Sequence, residues 1–142
     1  GRSTLRRRKS MRRWRVRRGV YSRRIYVDVN VLYYYLTAHP VYGEISKRYL
    51  EEFSGQLVTS SLTAWLLYVL TRVENIALIL DEIGVELAPL DSAVLREATR
   101  LKKPRDLEDR IHLATALRLG AAAILSNDKD FDGIPGIRRI FE

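Results

Sequence analysis

Apolar positions along this chain fall into two spacings, short unbroken runs and longer stretches that repeat every three to four residues. Ile25, Tyr26 and Val27 form a β-rich triplet that stops at Asp28, and beyond Asn30 the run VLYYYL continues at helical length. In HPVYGEISKRYLEEFSG, Ile45, Tyr49 and Phe53 share one helical stripe, with Pro40 near the start and Gly55 past the end. That pattern predicts an amphipathic surface helix. QLVTSS supplies a short strand through Val58, and Ser60 or Ser61 can cap the next segment. That segment, LTAWLLYVLTRV, is apolar nearly all round its axis, which predicts deep burial. Residues 74–83 continue helical up to Gly84, VELAPL is a third short strand closed by Pro89, and Asp91 caps SAVLREATRL. Asp106 is placed to cap LEDRIHLATALRL, Gly120 ends it, AAAIL forms another strand, and IRRIF offers a last one.

Short strands that are apolar on both faces and alternate with helices predict a parallel sheet covered on both sides and joined by right-handed crossovers. The expected fold is therefore α/β, a three-layer α/β/α sandwich around a short parallel sheet of four or five strands. Sites in such open sheets collect at the carboxyl ends of the strands, beside the point where strand order reverses. Asp28 and Asp128 both follow strand ends.

At 142 residues the chain is sized for one domain. Its formal net charge of +8 is unevenly spread. Residues 1–24 hold twelve of the 25 Lys and Arg and no acid, which leaves thirteen bases against all 17 acids, a net of −4, in residues 25–142. A block such as RRRKSMRRWRVRR repels itself and is expected to be a disordered arm preceding the folded domain. It reads either as a phosphate-binding arm with Trp14 available to stack on a base, or as a non-native leader, since Met11 lies inside it. The absence of cysteine excludes disulfides, thiolate metal sites and cysteine nucleophiles, and favours a cytoplasmic setting. No run of eighteen apolar residues suggests a membrane span, and GRSTLRRRKS lacks the apolar stretch of a secretory signal.

The chemistry-bearing residues are acids. Asp109 shares a helical stripe with Leu113 and Ala116, while Arg110 and Arg118 project from the other side, so its carboxylate is expected to face inward. A first-turn acid also complements the helix dipole, but that role does not require this facing. Asp28 alone would read as a helix cap and Asp128 as a turn acid. Together, Asp28, Asp109 and Asp128 converge if the strands ending near 27 and 125 are neighbours. Three carboxylates in one place repel unless a cation joins them, and oxygen-only ligation favours Mg2+ or Mn2+. Such a centre suits phosphodiester hydrolysis. Asn30, Ser126 and Asp130 are candidates for contacts with substrate or with the three acids, and His112 is read as a packed core residue.

YVDVNVLYYYL, SSLTAWLLYVL and DLEDRIHLATALRLGAAAILSNDKDF, in this order and spacing, resemble the PIN domain family, in particular its VapC-like ribonucleases. The resemblance covers residues 25 to about 141. It implies a metal-dependent endoribonuclease acting on RNA, often a homodimer and, in toxin members, paired with an antitoxin. On this resemblance Asp28, Asp109 and Asp128 match three family acids that are both catalytic and metal-binding. The family usually adds a glutamate on the helix after the second strand, where this chain has Leu66, or Trp65 if the alignment slips by one, and no acid from Leu57 to Val73. The alternative is a catalytically impaired PIN-like module that binds RNA or a protein. A haloacid-dehalogenase-like phosphatase would want an aspartate where Asn30 stands, and a receiver domain would want a late-strand lysine.

Overall fold

The computed structural model describes residues 23–142. Most of the basic stretch, and with it the expectation of a disordered arm, lies outside the described residues. Its last two members are attached to the sheet: Arg23 O accepts from Gln56 Nε2, and Arg24 pairs with Glu86 at 2.7 Å.

Five strands, β1 (Ile25–Val27), β2 (Leu57–Ser60), β3 (Glu86–Ala88), β4 (Ala123–Leu125) and β5 (Arg138–Ile140), form one parallel sheet in the order β3-β2-β1-β4-β5. Six helices join them: α1 (Val29–Leu36), α2 (Gly43–Glu52), α3 (Ser61–Thr71), α4 (Ile76–Glu82), α5 (Ser92–Arg100) and α6 (Leu107–Arg118). A single 3-10 turn, Lys129–Phe131, follows β4. The expected three-layer α/β/α architecture is thus present with five strands.

Strand alternation explains the layers. Ile25, Val27, Leu57, Ala123 and Leu125 meet Leu32 of α1, Leu50 of α2, Leu67 of α3 and Leu80 of α4 on one face. Tyr26, Val58 and Ile124 point the opposite way, onto Leu113 and Ala116 of α6 and onto Phe131. Helix α5 packs on the outer side of α6 through Val94 and Ala98 against Ile111 and Ala114. The glycines read as helix stops behave as such, with Gly84 at φ +82° and Gly120 at φ +67°, in the left-handed region that lets a helix end sharply.

Three sequence expectations are corrected. Helix α3 is not deeply buried: Thr63 and Leu67 are, but Trp65 is 59% and Leu70 57% exposed. Ala64, Leu66 and Tyr68 pack partly on the core, and Trp65, Val69 and Leu70 form an open face. Asp106 occupies the cap position of α6 without a side-chain cap bond, the first turn already carrying Glu108 and Asp109. Arg110 does not project freely; its guanidinium donates to Ala98 O and Leu101 O and closes the carboxyl end of α5. Among the described residues, no single helix is long and apolar enough to cross a membrane.

Candidate metal centre at the strand ends

With β1 central, the chain leaves it for β2 on one side and meets β4 on the other, so the carboxyl ends of β1 and β4 flank the reversal point. The Asp28 amide donates to Leu125 O at 2.9 Å, which places the residues following the two strands side by side.

Asp28 is 5% exposed and caps α1, with Oδ1 accepting from Val29 N at 2.8 Å. Its Oδ2 accepts from Ser126 Oγ at 2.6 Å and Asn30 Nδ2 at 3.1 Å. Ser126 Oγ also accepts from Asp128 N at 3.0 Å, and Asn30 Oδ1 accepts from Asn127 N at 3.3 Å. Asp128 Oδ1 in turn accepts from Asp130 N at 2.9 Å, which is the local turn bond expected of a turn acid. The cap and turn roles therefore coexist with the gathering of acids.

Asp28, Asp109 and Asp128 line one open cleft together with Asn30 and Glu108, and Tyr33 and Leu70 form its apolar wall. The tightest spacing is a different triad. One carboxylate oxygen each from Asp109, Asp128 and Asp130 lie within 4.8 Å of one another, a spacing that could hold a metal ion. Asp130 is brought in by the 3-10 turn, which folds residue 130 back beside residue 128. Helix α3 contributes Leu70 to the cleft and no charge, while Leu66 packs against the core.

The electrostatics fit a cation. Asp109 is pushed up to about 7, first by burial and then by the charges of Asp128, Asp28 and Asp106, with His112 opposing. Burial likewise raises Asp28, against His112, the Ser126 hydroxyl and the Val29 amide. Asp28 and Asp109, held by burial and by neighbouring acids against ionisation, lack positive charge beside them. The donor set is all oxygen, which suits a hard divalent ion.

Two neighbours had no clear functional signal in the sequence. His112 is fully buried, with Nδ1 2.7 Å from Tyr26 Oη and Nε2 3.6 Å from Glu108 Oε2 and 4.0 Å from Asp28 Oδ1. Nε2 has no hydrogen-bond partner. The i, i+4 spacing of Glu108 and His112 and the strand alternation that turns Tyr26 toward α6 were the available signals.

The sheet order and the acids at the strand ends define a parallel α/β domain with an acidic cleft at its switch point. Residues 25–137 match the PIN domain family, and the chain belongs to that family. By sequence comparison no curated protein matches significantly. Similar solved structures include a toxin-antitoxin complex from Klebsiella pneumoniae (21% identity, TM-score 0.64, covering 80% of this chain and 94% of that one). Mycobacterium tuberculosis VapC20, described as a Sarcin-Ricin loop cleaving toxin, aligns at 16% identity and TM-score 0.64, over 80% of this chain and 98% of that one. The DNA-bound VapBC of Salmonella typhimurium aligns at 18% identity and TM-score 0.61, over 82% and 96%. At these identities the likeness is one of fold.

Proposed function

We propose that this protein is a metal-dependent endoribonuclease that hydrolyses RNA phosphodiester bonds at the cleft of Asp28, Asp109 and Asp128. The observation that carries the reading is the triad Asp109, Asp128 and Asp130, whose oxygens lie within 4.8 Å of one another, beside the buried Asp28. Asp109, Asp128 and Asp130 would hold Mg2+ or Mn2+. A bound divalent ion supplies activation of water and neutralisation of charge on the phosphate under attack. Ser126 and Asn30 hold Asp28 in place and tie it to the turn that carries Asp128. PIN membership and the toxin structures of like fold support the nuclease reading and extend it to a toxin restrained by an antitoxin protein.

The test is incubation with RNA and Mn2+ beside an Asp109→Asn variant. Cleavage by the parent and none by the variant is expected; equal turnover by both would remove Asp109 from the chemistry.

A second reading is favoured by α3. It brings no carboxylate to the cleft and leaves Trp65, Val69 and Leu70 exposed, next to a mostly apolar depression lined by Ala64, Trp65, Tyr68, Glu74, Ile76 and Ala77. Exposed apolar surface of this kind fits a module that binds a protein partner without cutting RNA. The aromatic run after Asn30 is less available for such contacts, because Tyr33, Tyr34 and Tyr35 pack on the core and the Tyr34 ring lies 4.9 Å from that of Tyr42. Tight binding of RNA without cleavage at saturating Mn2+ would favour this second reading. A homodimer through the same apolar face would appear as a doubled mass in solution.

A further inference from the structure

His112 is the one buried imidazole whose outward nitrogen is aimed at the acidic cleft and satisfied by nothing in it. Its other nitrogen is accounted for. Tyr26 Oη accepts from Ser60 N at 3.2 Å, which leaves the hydroxyl proton for His112 Nδ1 at 2.7 Å. With Nδ1 accepting, the proton of the neutral ring is assigned to Nε2. A buried N–H is thus presented to two carboxylates, and they differ in need. Asp28 already accepts from Val29, Ser126 and Asn30. Glu108 stands closer, at 3.6 Å, on the next turn of the same helix. Its side chain is 48% exposed and lines the cleft beside Asp109.

We propose that Glu108 is a further cation-binding carboxylate of this cleft and that His112, through its Nε2–H, is the residue that positions it. The inference rests on the cation reading of Asp109, Asp128 and Asp130. It makes α6 a double contributor, with Glu108 and Asp109 adjacent at the helix start. The chain carries no acid on α3, so Glu108 raises the charge of a cleft that α3 lines with leucine. The proposed contact strengthens the grip on the ion without involving the helix after the second strand. His112 is linked through Tyr26 to the Ser60 amide where β2 ends, so sheet packing fixes the nitrogen that would hold Glu108.

The experiment is titration of Mn2+ into the full chain, counting free ion by electron paramagnetic resonance, for the parent, Glu108→Gln, Asp109→Asn, His112→Gln and His112→Asn. Glutamine places an amide donor near the Nε2 position, whereas asparagine reproduces the Nδ1 position facing Tyr26. Glu108→Gln and His112→Asn should weaken Mn2+ binding by roughly tenfold to a hundredfold, and His112→Gln should restore most of it. Glu108→Gln binding like the parent, while Asp109→Asn does not bind, would overturn the proposal and leave the cleft reading standing. Equal losses in the two His112 variants would reduce His112 to a packing residue and overturn its positioning role. A parent chain that takes up no Mn2+ would sink the cation reading and this proposal with it. Glu108 is half-exposed, so its variant folds whatever happens to the buried histidine.

Discussion

Ser126 Oγ donates to Asp28 Oδ2 at 2.6 Å, joining residues 98 positions apart. The same oxygen accepts from Asp128 N, so one hydroxyl fixes a buried acid and the backbone of a second. Ser126→Ala should leave Asp28 short of a donor and Asp128 N short of an acceptor, at a cost of about 1–3 kcal/mol in urea unfolding. An unchanged midpoint would mean that water replaces the serine at no cost.

Protonation of Asp109 sets a direction for stability against pH. Its folded value of about 7 exceeds the ordinary 3.8, so between those values the folded state binds more protons than the unfolded one. Metal-free stability from this group should therefore fall as pH rises from about 4 to 7 and flatten above. Asp28, raised in the same sense, adds to the fall. Thermal melts of Asp109→Asn should decline less than the parent's across that range, and added Mn2+ should raise the parent's midpoint most near pH 8. Parallel curves for the two proteins would remove Asp109 as the source.

Removal of the Tyr26 hydroxyl isolates the inner half of the network. Tyr26→Phe keeps the ring that packs beneath α6 but strands His112 Nδ1 and Ser60 N in a dry interior. A loss of about 1–3 kcal/mol in chemical denaturation is expected. A change within about 0.5 kcal/mol would show that these atoms find other partners.

Helix α3 separates stability from recognition. Trp65→Ser should shift unfolding free energy by no more than about 0.5 kcal/mol, because the indole is mostly in water. Loss of several kcal/mol, the signature of a core tryptophan, would contradict the exposure found here.

The layers were legible in the sequence because each strand is a short apolar run and each helix carries its own punctuation. Asp91 caps α5 through Val94 N, and Gly84 and Gly120 stop their helices as read. The inward stripe of Asp109 with Leu113 and Ala116 was legible for the same reason. Helix α3 was misread because periodicity reports what a helix could bury and not how much neighbour there is to bury it against. The approach of Asp130 to the other acids is not legible in the sequence because the 3-10 turn that folds it back rests on the Asp128 carboxylate, a contact with no periodic trace. The contacts that join Tyr26 and Glu108 to His112 leave no trace in the sequence pattern, where His112 looks like any packed residue on an apolar helix.

The strand order has a consequence for biosynthesis. Asp28 precedes Asp109, Asp128 and Asp130 by 81 positions or more, and β4 must slot beside β1 before they meet. A product ending before Asp109 would therefore carry Asp28 without the three acids it meets in the fold, and the cleft is complete only once the turn after β4 has been made.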